Sequence, residues 1–133
     1  MPTRYQQLRQ AIVHLGQSAE EQHAYLERQL GHLAQDGDAS GYGNHELGLE
    51  FDDIFAATRH MQEWGEITAA EIAAAKPLDD MLGLLWDESN QAFWRRGALW
   101  SDPRWEQVRE CARRVLKDYP DEVRPSDWLS SLI

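Results

Sequence analysis

The apolar residues of this 133-residue chain recur almost everywhere at steps of three and four. Such a period is typical of one face of an α-helix. It predicts a first helix that ends at Gly16 and whose inward positions are Tyr5, Leu8, Ile12 and Leu15. The capping box of Ser18 and Glu21 predicts that a second helix begins there. The inward positions of the second helix are Leu26, Leu30 and Leu33.

The middle of the chain predicts two further helices. The third runs from about His45 to Trp64 and ends at Gly65. Its apolar stripe is Leu47, Phe51, Ile54, Phe55, Thr58 and Met61. The fourth opens at the capping box of Thr68 and Glu71, and we expect Pro77 to kink it or to force a restart. The core face after the proline is Leu78, Met81, Leu82 and Leu85.

A fifth helix is predicted from the cap and first-turn proline of Ser101-Asp102-Pro103. Its buried positions are Trp105, Val108, Ala112, Val115 and Tyr119. Pro120 and Pro125 end it, and we expect an apolar tail to dock on the body, with the residues Trp128, Leu129, Leu132 and Ile133. The chain shows neither the two-residue alternation of strands nor an internal repeat. We therefore predict an all-α fold, with residues 1–133 forming a single domain, an irregular bundle of five or six helices.

The segment before the third helix is rich in glycine and aspartate and is similar to a calcium-binding EF-hand loop. Asp36, Asp38 and Ser40 take the first, third and fifth positions, followed by Gly41 at the sixth and Asn44 at the ninth. The twelfth position, which should supply a bidentate glutamate, is Leu47, and Glu46 comes one residue early. The eighth position is Gly43, and the chain has no sister loop. We expect a Gly-rich connector here, with calcium binding at residues 36–47 as an alternative.

Composition narrows the class of protein. A single cysteine, Cys111, excludes an intramolecular disulfide and a cysteine-rich metal site. The start of the chain has no apolar segment of signal-peptide length, and the apolar runs are too short to cross a bilayer. We expect a cytoplasmic protein. The net charge of −10 disfavours nucleic acid and anionic membranes as partners and favours a basic protein.

Charge is also sorted along the chain. Residues 44–88 carry eleven acidic side chains and two basic ones, whereas residues 89–118 carry seven basic and four acidic ones. Pairing between the two blocks could neutralise only part of the acidic excess. An excess of one sign on a small protein produces a field that selects partners.

The acids of the third helix fall on one face, because Glu46, Glu50 and Asp53 are spaced at i, i+4 and i+7. They form either an acidic docking stripe, a divalent metal site or a solvated face. We predict a working surface for a basic partner that joins this stripe to acids around a half-buried tryptophan. Its residues are Glu46, Glu50, Asp53, Asp79, Asp80, Trp86, Asp87 and Glu88.

Motifs of catalysis are missing from the sequence. There is no Gly-x-Ser-x-Gly elbow, phosphate-binding loop or dinucleotide fingerprint. Glu20 and His23 have the Glu-x-x-His spacing of di-iron bundles, but no second copy exists. The histidines lack ligand spacing, so we expect them at the surface or at the edge of the core. We predict a protein that is not an enzyme and has no cofactor.

The chain resembles small acidic bacterial proteins of the immunity type at three places. These are the stretch Glu46-Leu47-Gly48-Leu49-Glu50-Phe51-Asp52-Asp53, the later Trp94 and the helix start Asp102-Pro103-Arg104-Trp105. These all-α proteins accompany polymorphic or contact-dependent toxins. The resemblance implies a cytoplasmic inhibitor that neutralises one cognate toxin by covering its active or binding surface. The acidic charge of the chain favours a basic, nuclease-like toxin. No site residue follows from the resemblance, because immunity proteins diverge at the surface that binds.

Two other functions remain open at this point. The chain could be a helical scaffold or homo-oligomer in which the tryptophans and the tail form the interface. It could also be a metal-binding helical protein, or an enzyme, built on Glu46, Glu50 and Asp53. The oligomeric state does not follow from the sequence.

Overall fold

The computed structural model describes residues 3–34, 43–122 and 124. These residues form seven α-helices and one 3₁₀ helix, and no strand. In chain order they are α1 (Arg4–Gly16), α2 (Ala19–Ala34), α3 (His45–Phe55), α4 (Thr58–Glu63), α5 (Ala69–Leu85), the 3₁₀ helix (Glu88–Trp94), α6 (Ala98–Ser101) and α7 (Pro103–Leu116). The predicted all-α class is confirmed. The helices are more numerous than five or six because the third predicted helix is divided and α6 was not foreseen.

The predicted helix starts are confirmed. The Ser18 hydroxyl accepts from the Glu21 amide at 3.2 Å, and the Glu21 carboxylate accepts from the Ser18 amide at 3.3 Å. The same reciprocal pair of bonds joins Thr68 and Glu71. At α7 the Asp102 carboxylate caps the amide of Arg104 at 2.9 Å, with proline in the first turn. These bonds satisfy amide groups that a helix start leaves without partners.

A continuous third helix from His45 to Trp64 is wrong. The helix stops at Phe55 and restarts at Thr58, with Ala57 at φ −89° and ψ −1°. The Thr58 hydroxyl donates to the Phe55 carbonyl at 2.7 Å, so a side chain satisfies a group that the helix would otherwise use. The expected end at Gly65 is confirmed, because this residue adopts the left-handed φ of 74°.

Pro77 does not force a restart, since α5 is one helix from Ala69 to Leu85 with the proline inside it. Proline removes the bond that would reach the carbonyl of Ala73. Both residues are exposed, so water can hydrate that carbonyl. Leu78, Leu82 and Leu85 are buried as predicted, whereas Met81 is only partly buried.

The core is centred on α1, which packs against α7 and α3, while α5 also packs against α7. All four predicted inward positions of α1 and all five buried positions assigned to the last helix are buried. An aromatic cluster extends the core: Phe93 stacks on Trp105 with ring centroids 4.3 Å apart. The Trp105 indole donates to the Phe93 carbonyl at 2.8 Å, so the 3₁₀ helix is attached to α7.

A partly buried ion pair attaches residue 124 to the body. The Arg124 guanidinium donates two bonds of 2.6 Å to the Glu71 carboxylate and lies 3.7 Å above the Tyr5 ring. The docking predicted for the tail from Trp128 to Ile133 lies outside the described residues, as do positions 36–42 of the calcium-like loop. In the described part of that loop, Leu47 is fully buried and the Asn44 amide donates to the Arg95 carbonyl at 2.5 Å.

Candidate binding groove between α1, α2 and α3

Glu50 does not point freely into solvent but is held by two side chains from other helices. His14 of α1 places Nδ1 at 2.6 Å from Glu50 Oε1. The Tyr25 hydroxyl of α2 donates to Glu50 Oε2. The Glu50 side chain retains 26% of its exposure, so this carboxylate is oriented by the fold and still open on one side.

The two partners of Glu50 also hold each other. The rings of His14 and Tyr25 stack with centroids 3.8 Å apart and planes at 30°. The other ring nitrogen of His14, Nε2, lies 3.1 Å from the side-chain nitrogen of Gln10, one turn earlier on α1. Both ring nitrogens are therefore engaged, and the imidazole is fixed in one orientation.

Helical spacing brings these residues to one place. On α1 the polar residues Gln6, Gln10 and His14 recur every four positions, beside the buried stripe. Tyr25 and Gln29 have the same spacing on α2. These polar stripes border a groove with a volume of about 820 Å³. Its lining residues are Gln6, Gln7, Arg9, Gln10, His14, Tyr25, Gln29, Glu50, Asp53, Ile54 and Asp121.

The groove carries negative charge. Three of its lining residues are carboxylates, Glu50, Asp53 and Asp121, against one guanidinium, Arg9. The Nε of Arg9 donates to the Tyr119 carbonyl at 2.8 Å, which ties that guanidinium to the chain beyond α7. The balance stays negative whether His14 is neutral or protonated.

Tyr25 acts as a hydrogen-bond donor in this site. Burial, together with the bond to Glu50 and the charges of Glu50 and Glu46, raises the pKa of Tyr25 well above its ordinary value of 10.0. The phenol therefore keeps its proton at neutral pH. No Ser, Thr or Cys occurs among the described lining residues, so they offer no hydroxyl or thiol nucleophile of the usual kinds beside the histidine. The arrangement is suited to accepting hydrogen bonds from a bound cation.

Three other predicted acids of the working surface, Asp79, Asp80 and Asp87, have partners or cap a helix. Lys76 lies 3.1 Å from Asp79 and 2.8 Å from Asp80, one turn away on α5. The Asp87 carboxylate caps the 3₁₀ helix by accepting from the Ser89 amide at 3.0 Å. Glu88 begins the 3₁₀ helix, and its side chain lies outside what the structure describes.

Trp86 lies on the opposite side of α3 from the groove. Its ring stacks on Trp94 with centroids 4.4 Å apart and is 37% exposed. A Cβ added at Gly48 would approach the Trp86 ring to 3.0 Å. Positions 48 and 50 of a helix point about 200° apart. The predicted surface is therefore two surfaces: Glu50 and Asp53 line the groove, and Trp86 packs on the far face of α3.

The sequence pattern places His14 only at the surface or at the edge of the core and does not reveal the residues that hold Glu50. A local signal was present in the polar stripe of Gln6, Gln10 and His14. Its meaning depends on Glu50, which is 36 positions away, and on Tyr25, which is 25 positions from Glu50. No spacing rule joins positions on three different helices.

The described residues show neither a metal site nor a membrane-spanning helix, and the chain has no match among known proteins. In the described part of the chain, no group of three or more His, Cys, Asp or Glu side chains is placed to hold a metal ion. No helix within those same residues combines the length and apolar character needed to span a bilayer. No protein-family model, curated protein or solved structure matches the chain. The functional conclusion therefore depends on the geometry of this chain alone.

Proposed function

We propose that this chain is an acidic inhibitor of the immunity type, which binds a basic toxin domain and neutralises it by covering its functional surface. The observation that carries the proposal is the groove face of α3. There Asp53 is exposed and has no hydrogen-bond or ion-pair partner among the described residues. The Glu46 carboxylate has one ion-pair partner among them, His45, at 3.4 Å.

The arginines of residues 89–118 do not neutralise this face in the described part of the chain. Arginines of the basic block pair with acids of α2 and α7: Arg96 with Glu27, Arg104 with Asp102, and Arg109 and Arg113 with Glu106. None of these pairs involves Glu46, Glu50 or Asp53. The basic block therefore leaves the groove face charged, and that charge is available to a partner.

A basic surface would be attracted to the groove face before contact. Charges at the rim of an interface act mainly on the association rate and on its salt dependence. Inhibition then needs no chemistry by this chain, because occupying the toxin's substrate surface is sufficient.

A coexpression experiment tests the function. The first candidate toxin is a domain encoded next to this chain, produced in a bacterial host from an inducible promoter. We expect growth arrest that is relieved when the chain is coexpressed and a complex that purifies with both proteins. The variant Asp53→Lys should relieve the arrest less well than Asp52→Lys, which changes the same charge on the far side of the helix. Equal rescue by the two variants, or none by the unmodified chain, contradicts the proposal.

A second candidate function, self-association, is favoured by two exposed apolar side chains at the end of α5. Leu84 is 79% exposed and Trp86 is 37% exposed. Burying such groups against a second copy would be favourable. Sedimentation velocity separates the two candidates: a dimer at micromolar concentration that Leu84→Asp converts to monomer supports the scaffold, and a monomer supports the inhibitor.

A further inference from the structure

We infer that the groove between α1, α2 and α3 is a receptor for one guanidinium group, an arginine side chain presented by the partner. The inference rests on the proposed function in one respect, since the arginine is taken to belong to the basic toxin. The site itself is defined by the cavity and by Glu50, which His14 and Tyr25 hold in place.

The carboxylate of Glu50 has capacity left for a ligand. A carboxylate offers about four acceptor positions over its two oxygens. His14 occupies one on Oε1 and Tyr25 one on Oε2, so each oxygen retains one. A guanidinium combines a positive charge with five N–H donors, so it can donate to either of these oxygens.

Orientation makes this carboxylate a better receptor than an exposed one. A free glutamate loses side-chain freedom when it binds, whereas Glu50 has already lost it to His14 and Tyr25. Asp53 lies one turn further along α3 and lines the same groove. It adds a second negative charge that attracts the cation without forming part of the network.

The walls of the groove also favour a planar, donor-rich cation. Glutamines line it, among them Gln10 and Gln29, whereas the amide oxygen of Gln6 already accepts from the Thr3 amide at 2.9 Å. An amide oxygen accepts hydrogen bonds, and a guanidinium carries five donors and no acceptor. An ammonium group is more strongly hydrated and cannot bind in the two-pronged way, so lysine should bind more weakly. An anion meets the negative balance of the groove and should be excluded.

The test uses the full chain and a defined probe, the blocked tripeptide acetyl-Gly-Arg-Gly-amide, followed by two-dimensional NMR. We expect a dissociation constant of about 1 mM, with shifts concentrated at Gln10, His14, Tyr25 and Glu50. The matched peptides carry citrulline, which is neutral and similar in shape, or lysine. The citrulline peptide should bind at least about tenfold more weakly and the lysine peptide about threefold more weakly.

Variants separate recognition from folding. Glu50→Gln should weaken the arginine peptide about tenfold or more. Because this change also alters the contacts to His14 and Tyr25, a second variant, Asp53→Asn, removes charge from the groove without touching them and should weaken binding about threefold. Asp52→Asn is the matched control on the far side of α3 and should leave the dissociation constant unchanged within about a factor of two.

Each result decides between the two claims. A dissociation constant above about 20 mM for the arginine peptide, equal binding of the citrulline peptide, or shifts outside the groove overturns the guanidinium site. If the toxin is still neutralised in that case, the proposed function stands and only this site is wrong. Specific peptide binding without any toxin neutralisation supports the groove and overturns the proposed function.

Discussion

His14 and Glu50 lie 36 positions apart in the chain, and their side chains meet with Nδ1 at 2.6 Å from Oε1. Because Tyr25 donates to the other oxygen, Glu50 joins α1, α2 and α3 through one carboxylate. The contact that prepares the groove for a ligand is therefore also a contact that stabilises the fold.

The variant Tyr25→Phe tests this stabilising contact. It leaves Glu50 Oε2 without its donor while keeping the ring that stacks on His14. A lost hydrogen bond to a charged group costs about 1.5–3 kcal/mol, and the partial exposure of Glu50 places the expected loss toward the lower end. Urea denaturation followed by circular dichroism gives the free energy of unfolding. A loss no larger than that of the surface variant Asp52→Asn would show that the bond contributes nothing.

Two glycines in helices should respond in opposite ways to alanine. Gly83 on α5 has nothing within 4 Å of an added Cβ, so Gly83→Ala should raise the free energy of unfolding by about 0.5–1 kcal/mol through helix propensity. At Gly48 an added Cβ would lie 3.0 Å from the Trp86 ring and 3.2 Å from the Trp94 ring. In Gly48→Ala this close approach should cancel the gain from helix propensity, so the free energy of unfolding should not rise. The variant should also move Trp86 outward.

Tryptophan emission checks this difference directly. We expect a red shift for Gly48→Ala, because Trp86 becomes more exposed, and an unchanged spectrum for Gly83→Ala. If Gly48→Ala is as stabilising as Gly83→Ala and has an unchanged spectrum, Trp86 does not pack on α3 in the way described.

The pair of Glu71 and Arg124 predicts a loss of stability in acid. Burial alone would raise the pKa of Glu71, but hydrogen bonds from Arg124 and Thr68 outweigh it and hold the pKa below its ordinary value of 4.5. A group whose pKa is lowered by folding stabilises the protein fully above its unfolded pKa, and that contribution is lost as the pH falls through the folded value. The loss should begin below about pH 4.5.

Comparison with Glu71→Gln isolates this contribution. The variant should be less stable than the unmodified chain at pH 6, because Arg124 loses a charged partner. The difference between the two should shrink between about pH 4.5 and pH 3, as Glu71 becomes protonated in the unmodified chain. Denaturation curves that stay equally separated across this range would contradict the assignment.

Cys111 should react slowly in the folded protein. The residue is 5% exposed, and burial raises the pKa of its thiol above the ordinary value of 9.0 despite the opposing charge of Arg114. Since the thiolate is the reactive form, a disulfide reagent should modify it at least about a hundredfold faster in urea than in buffer. Rapid modification of the native protein would show that the helix α7 opens or that the thiol is accessible.

The sequence predicts the helices better than the contacts between them. Capping boxes at Ser18 and Thr68 depend on residues three positions apart, so local chemistry determines them. The break at Ala57 depends on whether the Thr58 hydroxyl turns to its own backbone, which a periodic pattern cannot show. Pro77 is tolerated because it faces solvent, a property of the packed bundle and not of the proline.

The candidate site shows the same limit. The spacing of Glu46, Glu50 and Asp53 predicts a shared stripe, and the structure brings Glu50 and Asp53 to one groove. The same spacing cannot show that His14 and Tyr25 hold Glu50, or that Trp86 packs on the far side of α3, at Gly48. Those relations depend on how three helices and the end of a fourth are packed.

The most direct test of the central claim is the affinity of the chain for the toxin domain that it neutralises. Calorimetry measures this affinity at several salt concentrations for the unmodified chain, Asp53→Lys and Asp52→Lys. Binding through the groove face predicts an affinity that falls at least about tenfold between 50 mM and 500 mM NaCl. Asp53→Lys should weaken binding about tenfold or more at low salt, and Asp52→Lys should weaken it far less. An affinity that is flat in salt and equal for the two lysine variants would contradict the account.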